Sequence, residues 1–402
     1  MLSPTPDAMS RDEKRAGAAL ASIFALRMLG LFLILPVFAI HAQTIPGGDD
    51  LTLVGIALGA YGLTQAMFQI PFGMAADTFG RKRVIVTGLL LFAFGSAVAA
   101  LSTDIWWAII GRVLQGAGAI SAAVTALAAD LTREQHRTKV MAMIGSSIGL
   151  VFAISLVLAP VLYQAIGMNG LFGMTGTLAL AAILLVLYVV PEPPPPEPHE
   201  MGPIPFSKVA FDKELLRLNF GIFTLHMAQM AMFVVIPLAL VKAGGLALAD
   251  HWKVYLPALL LSFVLMIPAI IVAEKKNQTK PVFNIAIGLI LLTQVGFAVF
   301  GEGVWSLFFF LFVFFVGFNI LEASLPSMIS RIAPPQAKGL ALGIYNTTQA
   351  LGLAVGGALG GLLAQRYGAD AVFLLCGLLT LVWLGFGLTM APLQPRVKKQ
   401  AA

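Results

Sequence analysis

A chain of 402 residues, 59% of them hydrophobic and only 11% charged, does not fit a water-soluble domain, where about a quarter of residues carry charge. The net charge of +6 does not mark a nucleic-acid binder, because the basic residues lie in short loops between apolar runs, each long enough at roughly 20 residues to cross a bilayer. The single cysteine, Cys376, sits inside such a run and leaves neither a disulfide framework nor a cysteine-based metal site.

Twelve helical spans are predicted, near residues 16–42, 52–72, 84–102, 105–129, 139–163, 168–190, 216–242, 252–273, 281–301, 305–329, 339–365 and 369–391. The first is too long for a signal-peptide core and reads as an uncleaved helix. The alternating hydrophobicity of barrel strands is missing, and the 40 glycines suit close helix packing in lipid. Twenty of the 25 Lys and Arg residues fall in the N-terminus, the even-numbered loops and the C-terminus. Only Lys242, Lys253 and Arg366 fall on the opposite face, and Arg27 and Arg112 lie inside spans. The positive-inside rule therefore makes both termini cytoplasmic.

Eight of the fifteen residues 191–205 are proline, which gives an extended stretch unable to join a packed core. It separates spans six and seven. The expected organisation is a cytoplasmic segment 1–15, a six-helix half 16–190, a Pro-rich linker 191–215, a second six-helix half 216–391 and a cytoplasmic tail 392–402. Two equal halves suggest an internal repeat. The loop Glu274–Lys280 holds the charge, but not the glycines, of its counterpart in the first half.

Formal charge at the bilayer centre costs at least about 2.5–3.5 kcal/mol and needs a partner or a wet cavity. Arg27, Arg112 and Glu322 are such charges, and His226 is a further titratable group at depth. They occupy spans one, four, ten and seven, whereas spans three, six, nine and twelve have no ionisable residue inside. The first set is expected to line a polar interior and the second to face lipid. Arg27 lies about 11 residues, roughly 16 Å, from its helix end, too deep to snorkel out. Arg27 and Arg112 either hold fixed hydrogen bonds to carbonyls or Gln side chains, or take part in moving a solute. Glu322 is the candidate proton carrier, tuned by Arg112 or Arg27, since burial favours the neutral acid and a nearby cation the carboxylate.

Uncharged polar residues recur at helical spacing: Tyr61, Gln65 and Gln69; Arg112, Gln115 and Gly116; His226 and Gln229; Asn319 before Glu322; and Tyr345, Asn346 and Gln349. These faces are candidates for one substrate cavity, and each is equally well interhelical glue. The Phe residues 308–310, 312, 314, 315 and 318 are expected mostly against lipid or core.

Between spans two and three stands Gly73-Met-Ala-Ala-Asp77-Thr-Phe-Gly80-Arg81-Lys82-Arg83, a charged turn at a membrane face. This stretch resembles the signature loop of the major facilitator superfamily, and Gly111-Arg112-Val-Leu-Gln115-Gly116-Ala-Gly118-Ala119 resembles the family's second motif. The runs Leu26–Gly30, Tyr61–Gln65, Asp130–Gln135 and His251–Tyr255 look like the YajR-type inner-membrane transporters of drug-efflux character. Some of those carry an extra soluble C-terminal domain, which a chain stopping at Ala402 is expected to lack.

The resemblance covers essentially the whole chain and implies two six-helix halves rocking about a central site in the inner membrane. It implies that Asp77 meets the start of helix eleven, near Lys338 and Gly339, when the protein opens outward, and that Arg81 and Asp130 complete the cytoplasmic charge cluster; Gly73, Asp77, Gly80, Arg81, Lys82 and Asp130 are together the expected conformational-switch motif. One departure is that Ser155–Tyr163 keeps Pro160 but not the glycines usual in drug antiporters. The expected activity is secondary active export of small apolar or amphipathic molecules coupled to protons, with an uncoupled or uptake facilitator for a sugar or other metabolite as the alternative. The expected partners are a small-molecule substrate, protons and membrane lipid, in a monomer with no cofactor, metal, nucleic acid or catalytic residue.

Overall fold

The computed structural model describes residues 8–192, 205–301, 303–334 and 337–391. Most of the Pro-rich linker (193–204) and the tail from 392 lie outside them, as do residues 1–7 of the N-terminal segment. The helices are α1 (Arg11–Ala42), α2 (Leu51–Phe79), α3 (Arg81–Ala100), α4 (Ile105–Ala117), α5 (Ser121–Asp130), α6 (Glu134–Tyr188), α7 (Phe206–Ala210), α8 (Lys213–Lys242), α9 (Trp252–Lys275), α10 (Thr279–Phe300), α11 (Val304–Ile332), α12 (Lys338–Tyr367) and α13 (Ala369–Thr389). No strand occurs among the described residues.

Eleven helical stretches are long and apolar enough to cross a membrane, with α4 and α5 forming one interrupted crossing. The helix α6 has 55 residues, about 80 Å at 1.5 Å per residue and far more than one bilayer. It breaks at Gly167, whose φ of 65° lies in the left-handed region open to glycine. Two crossings result, and the twelve predicted spans are all present. Pro160 stays inside the helix, so the turn belongs to Gly167.

The start of several helices is written locally. Asp50, Asp104 and Asp212 cap α2, α4 and α8 by accepting from backbone N–H groups at 2.8–3.1 Å. Ser10 and Glu13 form a reciprocal capping box on α1. The Glu13 carboxylate also receives the Arg133 backbone N–H and guanidinium at 2.9–3.0 Å, which ties α1 to the α5–α6 loop.

The helices α1–α6 form one half and α8–α13 the other. Within them α1 packs on α6 and α8 on α12. The most enclosed spans are α8 and α1, with 89% and 72% of their most apolar stretch buried, against 44% for α3 and 39% for α13. Outward stripes such as Leu180, Leu184 and Leu187 on α6, or Leu374, Leu378 and Leu381 on α13, are exposed and apolar, as lipid contact requires.

The two halves meet most closely along α2 and α12, at the end away from the α2–α3 turn. A Cβ on Gly59 would stand 2.5 Å from the Ala354 carbonyl oxygen, and one on Gly357 2.5 Å from that of Gly55. Only glycine permits this approach. The Leu51 N–H closes the far end on Gln365 Oε1 at 2.9 Å. Toward the face bearing the α2–α3 turn, hereafter the basic face, Gly145 and Gly149 on α6 and Gly339 and Gly343 on α12 look into open space. The molecule is shut at its far face and parted at its basic face.

Candidate functional site

Three helices of the second half bring Glu322, His226 and Gln349 together at comparable depth. They stand about 10, 13 and 11 residues, roughly 15–20 Å, from the basic-face ends of α11, α8 and α12. The Gln349 amide donates to His226 Nε2 at 2.7 Å and to Glu322 Oε1 at 3.4 Å. His226 Nδ1 lies 3.3 Å from the Ile222 carbonyl, and its Nε2 lies 3.7 Å from Glu322 Oε2. With the Nδ1 proton on the carbonyl, Nε2 accepts from Gln349 and leaves Glu322 Oε2 without a partner. His226 is buried, while the Glu322 side chain keeps 36% exposure.

Tyr345 is one turn from Gln349 on α12 and is buried with its hydroxyl unpartnered. Asn346 is partly exposed beside it, and Gln229 is buried one turn beyond His226. Asn319 turns away and donates to Ser262 Oγ of α9 at 2.9 Å. It acts as glue between α9 and α11.

Above this group, toward the far face, sits an aromatic cluster shared by both halves. Phe152 of α6 stands 5.0 Å from the Phe32 ring of α1, 6.4 Å from Phe233 of α8, and 6.2 and 6.0 Å from Phe315 and Phe318 of α11. The ring of Phe318 also lies 5.7 Å from that of His226. The run of Phe residues on α11 is therefore partly core, as expected, and partly the roof of the polar group. Phe152 gave no sequence signal, being one apolar residue in an apolar run.

Arg27 and Arg112 do not approach Glu322. Both point into the first half, so the expectation that one of them tunes Glu322 is corrected by where their helices turn them. Arg112 donates to Gln115 Oε1 at 2.9 Å and to the Ala57 and Leu58 carbonyls at 3.4–3.5 Å. Gln115 in turn donates to Ser96 Oγ at 2.9 Å, and Thr175 reaches the same hydroxyl at 3.1 Å. Gln115 is thus an interhelical tie and not a cavity residue. Arg27 donates to Ser121 Oγ at 3.2 Å. Tyr61 lies between the two guanidinium groups, 5.7 Å from Arg27 and 5.0 Å from Arg112, fully buried. Gln65, one turn on, is buried as well.

At the basic face, Gly73 to Phe79 are the last turns of α2, not loop, and only Gly80 makes the turn, with φ 94°. Arg81 pairs with Asp77 on the preceding turn and donates to Asp130 Oδ2 at 3.0 Å, while Lys82 pairs with Glu192 at 2.7 Å. Asp77 is largely exposed, and Gly339 at the start of α12 faces open space. The contact between Asp77 and α12 is not made in this conformation.

The sequence profile described as Major Facilitator Superfamily matches residues 20–321 and 259–402. The chain is 47% identical over 385 residues to the inner membrane transport protein YajR of Escherichia coli (strain K12), covering 95% of this chain and 84% of that one. It is 28% identical over 347 residues to the multidrug resistance protein MdtH of Photorhabdus laumondii subsp. laumondii, covering 83% of this chain and 82% of that one. A solved structure of a bacterial homolog to the human lysosomal transporter Spinster superposes with a TM-score of 0.76 over 95% of this chain and 97% of that one; at 10% identity the likeness is one of fold. The protein is a multi-pass inner-membrane transporter of small molecules and not an enzyme. By profile, identity and architecture together, the chain belongs to the major facilitator superfamily.

Proposed function

We propose that the protein is a proton-coupled exporter of small apolar or amphipathic molecules, working by alternating access as a monomer without cofactor. The observation that carries this reading is the Gln349–His226–Glu322 group, two titratable side chains held by one amide at mid-depth. A proton arriving at His226 Nε2 turns that atom from acceptor into donor. Gln349 must then offer its carbonyl or let go, and Glu322 gains a cation beside its free oxygen. One proton therefore changes the partner of Gln349. The next residue, Ala350, is where α12 begins to touch α2 across the halves, at Gly62. Titration is thus felt where the two bundles meet, and so biases one conformation over the other.

The export direction rests on the relatedness to MdtH, a protein named for multidrug resistance. With the basic face cytoplasmic, as the Lys and Arg bias implies, the conformation described is open inward and ready to take up a cytoplasmic solute. The missing glycines around Pro160 favour the second reading, an uncoupled or uptake facilitator for a sugar or other metabolite. Liposomes separate the two. Substrate added against an imposed gradient is expected to drive proton flux through the wild-type protein, and Glu322→Gln to lower that flux at least tenfold. Undiminished proton flux in the variant overturns the proposal, and transport indifferent to the gradient in the wild type supports the facilitator.

A further inference from the structure

We infer that the core of the first half holds a small monovalent anion, of halide size, between Arg27, Tyr61 and Arg112. Two guanidinium groups are fully enclosed there, and arginine does not shed its proton. Among the described residues, no carboxylate pairs with either of them. Among the same residues, every Asp and Glu up to residue 192 lies at a helix end or in a loop: Asp12, Glu13, Asp49, Asp50, Asp77, Asp104, Asp130, Glu134 and Glu192. Of these, Glu13 is engaged by Arg133, and Asp77 and Asp130 by Arg81. Glu322 belongs to the other half and is engaged by Gln349.

The donors are also in excess. Arg27 Nε and Nη2 and the Tyr61 hydroxyl are buried without a partner. Arg112, by contrast, has acceptors in Gln115 and two carbonyls. The ring of Tyr61 lies near both guanidinium groups, and that of Phe92 lies 5.9 Å from Arg27. Ring faces offset cationic charge only weakly, so the donors still want an acceptor. Water could accept from them but would leave both charges standing. An anion does both, since charge-assisted bonds to a buried guanidinium are the strong ones. Residues of α1, α2, α3 and α5 surround the Arg27 guanidinium, so the ion inferred is a single small one.

The site is separate from the His226–Glu322 group, so its test does not depend on the transport reading. Purified full-length protein is melted in chloride, bromide or gluconate at constant ionic strength. A ligand bound to the folded state raises the melting temperature with its concentration. Chloride and bromide are expected to raise it by several degrees over gluconate in the wild type, with saturation. Tyr61→Phe, which keeps the ring, is expected to weaken the half-saturating concentration about tenfold, and Arg27→Gln to remove the effect. Equal melting in chloride and gluconate, or a halide effect that survives Arg27→Gln unchanged, overturns the inference. Should Arg27→Gln fail to fold, bromide anomalous scattering from wild-type crystals decides, with a peak beside Arg27 supporting the ion and its absence refuting it.

Discussion

At the scale of single residues, the second half places its titratable groups where one amide joins them. Gln349 matters because it is neutral: it can donate to an unprotonated imidazole or accept from a protonated one. Leucine at that position keeps the bulk and loses both options. A hydrogen bond to a charged group contributes roughly 1.5–3 kcal/mol, so Gln349→Leu is expected to lower the population of the protonated, coupled state roughly ten- to hundredfold. The transport rate measured from pH 5.5 to 8.5 should then lose most of its pH dependence while substrate still binds. A pH profile identical to wild type would rule out the amide as the link. The polar residues of the first half are of another kind. Arg112, Gln115, Ser96 and Thr175 form a continuous buried network among α4, α3 and α6, so they hold helices and do not line the opening.

At the scale of elements, α12 has two glycine faces with different duties. Gly352, Gly356 and Gly360 lie on the backbone of α8 around Phe223, Met227 and Ala231, inside one half. Ala350, Ala354, Gly357 and Gly361 lie on α2, in the other half. Under the proposed alternating access, the first contact is expected to persist, whereas the second is expected to open when the far face opens. Overpacking costs typically about 1–3 kcal/mol. Gly357→Val is therefore expected to disfavour only the far-closed form and shift the population toward the far-open form roughly five- to 150-fold. Gly352→Val is expected to lower the melting temperature without that shift. Accessibility of a single engineered cysteine near the far end of α2, read by labelling rate, distinguishes them. By sequence the glycines read only as suited to close packing; which partner each face of α12 meets came from the fold.

At the scale of the whole molecule, Asp77 is the residue expected to link two conformations. In the far-closed form it pairs with Arg81 and is mostly exposed. In the opposite form it is expected to reach the start of α12, where a carboxylate at a helix N-terminus is worth roughly 0.3–1 kcal/mol, up to about 2 when partly buried. Asp77→Asn should therefore shift the balance toward the far-closed form by roughly two- to thirtyfold. Spin labels on the basic-face ends of α2 and α12 report it as a growing long-distance population. An unchanged distance distribution would leave Asp77 without a role as a latch.

What the sequence determined by itself was decided by solvent. Apolar runs of bilayer length, Lys and Arg gathered on one side, and four ionisable residues in spans one, four, seven and ten are statements about transfer into lipid, which each segment answers alone. The break at Gly167 and the caps at Asp50, Asp104 and Asp212 were likewise local, set by backbone sterics and unsatisfied N–H groups. Only the tertiary structure decided who faces whom. Periodicity marks one face of a helix, but the partner across that face depends on how each helix is rotated and crossed in the bundle. That is why Arg27 and Arg112 meet Tyr61 instead of Glu322, Asn319 meets Ser262, and Phe152 closes the space above His226.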